Sequence, residues 1–170
     1  MLGIPMHPLV IHFPIVFAVL LPIAVIAALV TIRRGASPRR AWTPPLALAA
    51  ALTLSAFAAT QSGGAEEDRV ERVVGEQALH EHEEAGERFL VLSGVLLLVA
   101  AVGLAPRTVG QAARVVTAVG AIVLVGAGLQ VGHSGGSLVY QHGAASAYTA
   151  DSASVALRAT AGAEREDDDH

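Results

Sequence analysis

Two imidazoles and four glycines stand together in Gly132-His133-Ser134-Gly135-Gly136-Ser137-Leu138-Val139-Tyr140-Gln141-His142-Gly143, directly after the last long apolar run of the chain. Imidazole is the commonest metal-ligating side chain, and glycine lets a backbone approach a bulky group closely. Four further histidines, His7, His12, His80 and His82, flank other apolar runs. The chemistry open to such a set is ligation of haem iron, zinc or copper.

The elements that must position these residues are membrane spans. The 170 residues are 53% hydrophobic and 15% charged, with a mean hydropathy of +0.54. That profile suits an integral membrane protein. There is no cysteine, which excludes disulfides, thiolate zinc sites, iron–sulfur ligation and covalent c-type haem attachment. No basic, aromatic-interleaved patch suggests nucleic acid. Four runs approach the roughly 20 apolar residues that cross a bilayer. They predict an all-α, integral membrane four-helix bundle over residues 1–143, with helices at about 8–32, 41–61, 78–105 and 112–133. Trp42 is expected at the membrane interface, where an amphipathic ring is favoured. Residues 144–170 are small and acidic and read as a disordered tail, so His170 is set aside.

Orientation follows from arginine. Arg33, Arg34, Arg39 and Arg40 fall in the first connection, and Arg107 and Arg114 in the third. Short basic loops stay cytoplasmic, so both termini and the acidic central loop are expected on the non-cytoplasmic side of a bacterial inner membrane. The opening Met1-Leu2-Gly3-Ile4-Pro5 has no basic n-region, so the first span is expected to be retained. In this topology His7, His12, His80, His82, His133 and His142 all lie near the outer face.

Helical spacing sorts them. His80 has Glu76, Glu83, Glu84 and Glu87 as neighbours three, four and seven residues away, which predicts a water-facing side chain. His82 has Ala78, Ala85, Gly86 and Phe89 and is expected to face the bundle. His133 shares a stripe with Gly126, Leu129 and Gln130, and a glycine two turns below a ligand would leave room for a flat group. The competing use of Gly120, Gly126 and Gly128 is close helix packing. His12 begins the first span, and His7, preceding Pro8, reads as either a capping residue or one that supports the ligands. His142 follows Leu138-Val139-Tyr140, which could fold back over the bundle mouth. A short internal repeat links the halves: Gln61-Ser62-Gly63-Gly64 ends the second span, and His133-Ser134-Gly135-Gly136 ends the fourth.

His7-Pro8-Leu9-Val10-Ile11-His12-Phe13-Pro14, His82-x-x-x-Gly86 and Gly135-Gly136-x-Leu138-Val139-Tyr140-x-His142-Gly143 together resemble the bacterial membrane family catalogued as domain of unknown function 2231, over about Pro5 to Gly143. The motif residues that carry over are His7, His12, His82, Gly135, Gly136, Tyr140, His142 and Gly143. Members are similar to four-helix membrane cytochromes, and some are fused to Rieske or c-type cytochrome domains, neither of which occurs in these 170 residues. The resemblance therefore implies redox work, with a Rieske or cytochrome partner, by analogy of architecture.

Three functions remain in view. The first is one or two b-type haems, with His12, His82, His133 and His142 as axial candidates, His7 behind them, and Gly126, Gly135 and Gly136 supplying space for electron transfer at the periplasmic side. The second is a zinc or copper site using the same imidazoles with Glu81 or Glu83. The third is an accessory or assembly subunit, in a membrane complex or homo-oligomer, whose histidines are only polar interfacial groups. No nucleophile–base pair, phosphate loop or carboxylate dyad favours a stand-alone enzyme, although a quinone-handling oxidoreductase subunit stays compatible with haem.

Overall fold

Four long helices, each burying only one narrow stripe, form the body of the computed structural model, which describes residues 6–65 and 67–147. A short α1 (Met6–Val10) leads into α2 (His12–Arg33). Then come α3 (Pro38–Gly64), the small α4 (Glu67–Val74), α5 (Glu76–Val102) and α6 (Arg107–Tyr140). The turn between α2 and α3 uses Gly35 at φ +96°, a left-handed conformation that costs glycine little, and Pro38 then opens α3 where its missing N–H has no partner to lose.

α2 pairs with α3 and α5 with α6 as two hairpins; α3 then packs on α5 and α2 on α6 to close the bundle. The periodicity that builds it is 3.6 residues. α2 buries Pro14, Ala18, Leu21, Val25 and Ala28, while α3 buries Trp42, Pro45, Ala49, Leu52, Ala56 and Ala59. α5 contributes Leu79, Ala85, Phe89, Ser93, Leu96 and Ala100. On α6 the stripe runs through Gly110, Ala113, Thr117, Ala121 and Leu124 to Leu138. Large apolar side chains such as Phe13, Ile23, Phe57, Leu98, Ile122 and Leu129 cover the outside. Helices apolar outside as well as inside belong in lipid. All four are long and apolar enough to cross a membrane, and the chain is a multi-pass membrane protein in contact with the bilayer.

Glycines on α6 let α5 approach. A side chain at Gly120 would begin 2.5 Å from Leu96 Cδ1, and one at Gly128 would begin 3.3 Å from Phe89. Packing is therefore the use of both. Gly126 differs: it faces outward, with nothing within 4 Å of a Cβ built there.

Trp42 does not sit at the lipid interface. It is fully buried, its Nε1–H donates to the Ala100 carbonyl at 2.8 Å, and its ring lies 5.9 Å beneath the Arg114 guanidinium. Arg114, also buried, donates from Nε to the Gly103 carbonyl at 2.8 Å. The indole can bury fully because its N–H finds an acceptor inside, the Ala100 carbonyl, which also accepts from the Gly103 N–H at the end of α5. This contact ties α3, α5 and α6 together at the arginine-bearing end.

At about 1.5 Å per residue, the 34 residues of α6 outrun the roughly 30 Å hydrocarbon core. The helix continues through Ser134-Gly135-Gly136 instead of stopping there. Its last turn carries Leu138 into a small apolar cluster with Val74, Leu79 and Ala144. The chain reaches Ala144 by a reversal at Gly143, φ +72°. Ala144 and Ala147, placed in the tail by sequence, are thus packed on the end of the bundle; the rest of that tail, with His170, lies outside the described residues.

Candidate functional site

The buried stripes of the four helices converge on two histidines. His7 precedes Pro14 by seven residues and so continues the inward face of α2 by two turns. His82 lies three residues after Leu79 and three before Ala85 on the inward face of α5. Their rings meet at the end of the bundle opposite Trp42, centroids 6.2 Å apart and planes at 83°.

Each imidazole rests on the last helix of its own half of the chain, His7 on α3 and His82 on α6, and the two seats are built alike. His7 Nδ1 is 2.9 Å from the Ala59 carbonyl oxygen and 3.2 Å from Ser62 Oγ. A carbonyl only accepts, so the proton belongs on Nδ1. Ser62 Oγ itself donates to the same Ala59 carbonyl at 2.9 Å. In the other half His82 Nδ1 is 2.8 Å from Ser134 Oγ, whose hydroxyl proton is committed to the Val131 carbonyl at 3.0 Å. Ser134 Oγ must therefore accept, and His82 also carries its proton on Nδ1. In the neutral form of either ring, Nε2 is then the nitrogen bearing the lone pair.

The next residue in each half is a glycine that makes room for the ring. A Cβ at Gly63 would lie 3.2 Å from His7 Cε1, and one at Gly135 would lie 3.0 Å from His82 Cε1. The sequence repeat Ser62-Gly63-Gly64 and Ser134-Gly135-Gly136 is thus a repeated imidazole seat: serine for the hydrogen bond, glycine for the close approach. The glycines receive histidine rings; Gly64 and Gly136, one residue on, meet nothing within 4 Å.

The structure brings together His82, Gly135 and His7, and it does not bring His12, His133 or His142 to them. His12 is exposed at the start of α2, two residues off the buried stripe. His133 is exposed two residues before Gly135, on the outward face with Gly126, Leu129 and Gln130. His142 is exposed in the turn after α6. His80 is exposed as its spacing predicts and, with Glu67, Glu71 and Glu83, borders a groove between α4 and α5. Glu81 is exposed and accepts from Gln77 Nε2 at 3.3 Å. Among the described residues no group of three or more His, Cys, Asp or Glu side chains is placed to hold a metal ion.

The residues that sequence reasoning underweighted are His7, Ser62, Gly63 and Ser134. Two signals could have found them: the repeat itself, and the register of each buried stripe carried one or two turns past the apolar run.

Residues 3–147 match the model of a family described as predicted membrane protein, DUF2231. No curated protein and no solved structure matches the chain.

Proposed function

The chain belongs to the DUF2231 family of predicted membrane proteins, and we propose that it binds a b-type haem through His7 and His82 and carries electrons at one face of the membrane. The observation behind this reading is the matched pair: two imidazoles with centroids 6.2 Å apart, each with Nδ1–H held by a serine or carbonyl on the last helix of its own half.

The donor set fits the group. Two imidazoles with centroids 6.2 Å apart are near enough to serve one metal centre, since a metal–imidazole nitrogen bond is about 2 Å long. Two imidazoles alone make a sparse site for a bare ion, but they suffice when the remaining ligands arrive with a macrocycle. Haem bound there would supply a one-electron couple. His7 and His82 would hold it through Nε2. Ser62, Ser134 and the Ala59 carbonyl orient the rings and, by accepting from Nδ1–H, raise the basicity of the ligating nitrogens. Phe89 and the small residues of the core keep the inward side of the site dry. His12, His133 and His142 take no part as ligands in this reading.

By the positive-inside rule the arginine-bearing end is cytoplasmic, which puts the histidine pair at the periplasmic side of a bacterial inner membrane. A Rieske or cytochrome protein outside the bilayer is the matching electron partner. The test is a pyridine haemochrome assay and a dithionite-reduced minus oxidised spectrum of the purified full chain. A Soret band with b-type α absorption supports the reading; a colourless preparation containing stoichiometric zinc or copper overturns it.

A further inference from the structure

The end of the bundle opposite the histidines carries its own unresolved charge. Five exposed arginines, Arg33, Arg34, Arg39, Arg40 and Arg107, surround the two short connections there, and the buried Arg114 lies beneath. Nothing within the bundle neutralises them: residues 1–65 and 88–150 contain neither Asp nor Glu. The acidic residues between 66 and 87 belong to the other end, where Arg88 pairs with Glu84. The described chain ends at that same far end, where Ala144 packs with Val74 and Leu79.

The placement sharpens the imbalance. Arg39 and Arg40 fall in the first turn of α3, and Arg107 opens α6. Neither helix has an acidic residue in its first turn. A helix N-terminus is the positive end of its macrodipole and disfavours cations, so Arg39 and Arg40 on α3 and Arg107 on α6 each add positive charge where an anion is favoured. All eleven basic residues of the chain are arginine, whose planar fork grips phosphate oxygens in pairs. These side chains flank the ends of membrane-spanning helices, at the depth of lipid headgroups.

We infer that this arginine-bearing end is a docking surface for anionic phospholipid, with Arg39, Arg40 and Arg107 gripping phosphodiester headgroups of the adjacent leaflet. The inference stands apart from the haem reading and survives its failure.

The test measures lipid retained by the purified full chain from mixed phosphatidylglycerol–phosphatidylcholine micelles, by native mass spectrometry. Wild-type protein should be enriched several-fold in phosphatidylglycerol, and the enrichment should fall as salt rises. Arg39→Gln/Arg40→Gln should lose at least half of it, whereas Arg72→Gln/Arg88→Gln, which removes two charges at the other end, should keep it. No enrichment in the wild-type chain, equal loss in both double variants, or full displacement by inorganic phosphate each overturns the inference.

Discussion

His7, on the short α1 ahead of the first hairpin, and His82, on α5 of the second, meet with ring planes nearly perpendicular, and each leans on a serine near the end of the last helix of its own half. The relationship is two-fold in design: a histidine from before or within the hairpin, serine and glycine from the end of its second helix. A site assembled this way needs both hairpins docked, so its formation reports on the packing of α3 against α5 and α2 against α6.

Ser134 accepts the Nδ1 proton of His82 with a backbone hydrogen bond to Val131 beside it, as Ser62 stands beside the Ala59 carbonyl at His7. Ser134→Ala and Ser62→Ala should each weaken haem retention, by up to about 10- to 100-fold, the usual cost of losing a group that orients a ligand. Haem dissociation followed by transfer to apomyoglobin measures both.

Space beside the rings is the second determinant. Gly135→Val should displace His82, because even a Cβ lies 3.0 Å from its ring, and Gly63→Val should displace His7 in the same way. Gly136→Val and Gly126→Val meet nothing within 4 Å and should leave absorbance unchanged. Equal effects at Gly135 and Gly136 would mean that the glycines act through helix flexibility instead.

Trp42 and Arg114 act on stability and not on the site. Trp42→Ala removes a fully buried indole and its bond to Ala100, a loss of about 3–5 kcal/mol on the scale of large core truncations. Arg114→Met gives up the bond to Gly103, about 1–3 kcal/mol with a charged donor. Thermal unfolding in detergent, followed by helical circular dichroism, should show both Tm values lowered. The haem spectrum below Tm should stay that of the wild-type protein.

Orientation can be read directly because the chain has no cysteine of its own. Ser146→Cys in intact cells should react with a membrane-impermeant maleimide from the periplasmic side, and Ala36→Cys only after the inner membrane is opened. The reverse pattern would place the histidine pair in the cytoplasm.

The fold was legible because lipid makes a simple demand: long apolar runs become helices whose backbone groups satisfy themselves. The inward direction of His82 was legible too, from Ala85 and Phe89 beside it. The partner was not, because Pro8 and the break at Ile11 obscure the register that carries His7 onto the face of Pro14, and His12 stands nearer to the obvious span. His133 misled for a related reason. It is adjacent to the seat at Ser134 and Gly135, but one residue along a helix is a turn of about 100°, and two residues put it on the opposite face from Gly135. Trp42 obeyed a different constraint from the one its composition suggests: the Ala100 carbonyl satisfies its N–H inside the bundle, so the ring buries fully instead of staying at the interface.

The pairing of His7 with His82 is tested most directly by absorption spectra of five single variants in the purified full chain. His7→Ala and His82→Ala should each lose the b-type Soret and α bands, while His12→Ala, His133→Ala and His142→Ala keep them at wild-type intensity. Retention of the bands in His7→Ala together with their loss in His12→Ala or His133→Ala would contradict the site described here.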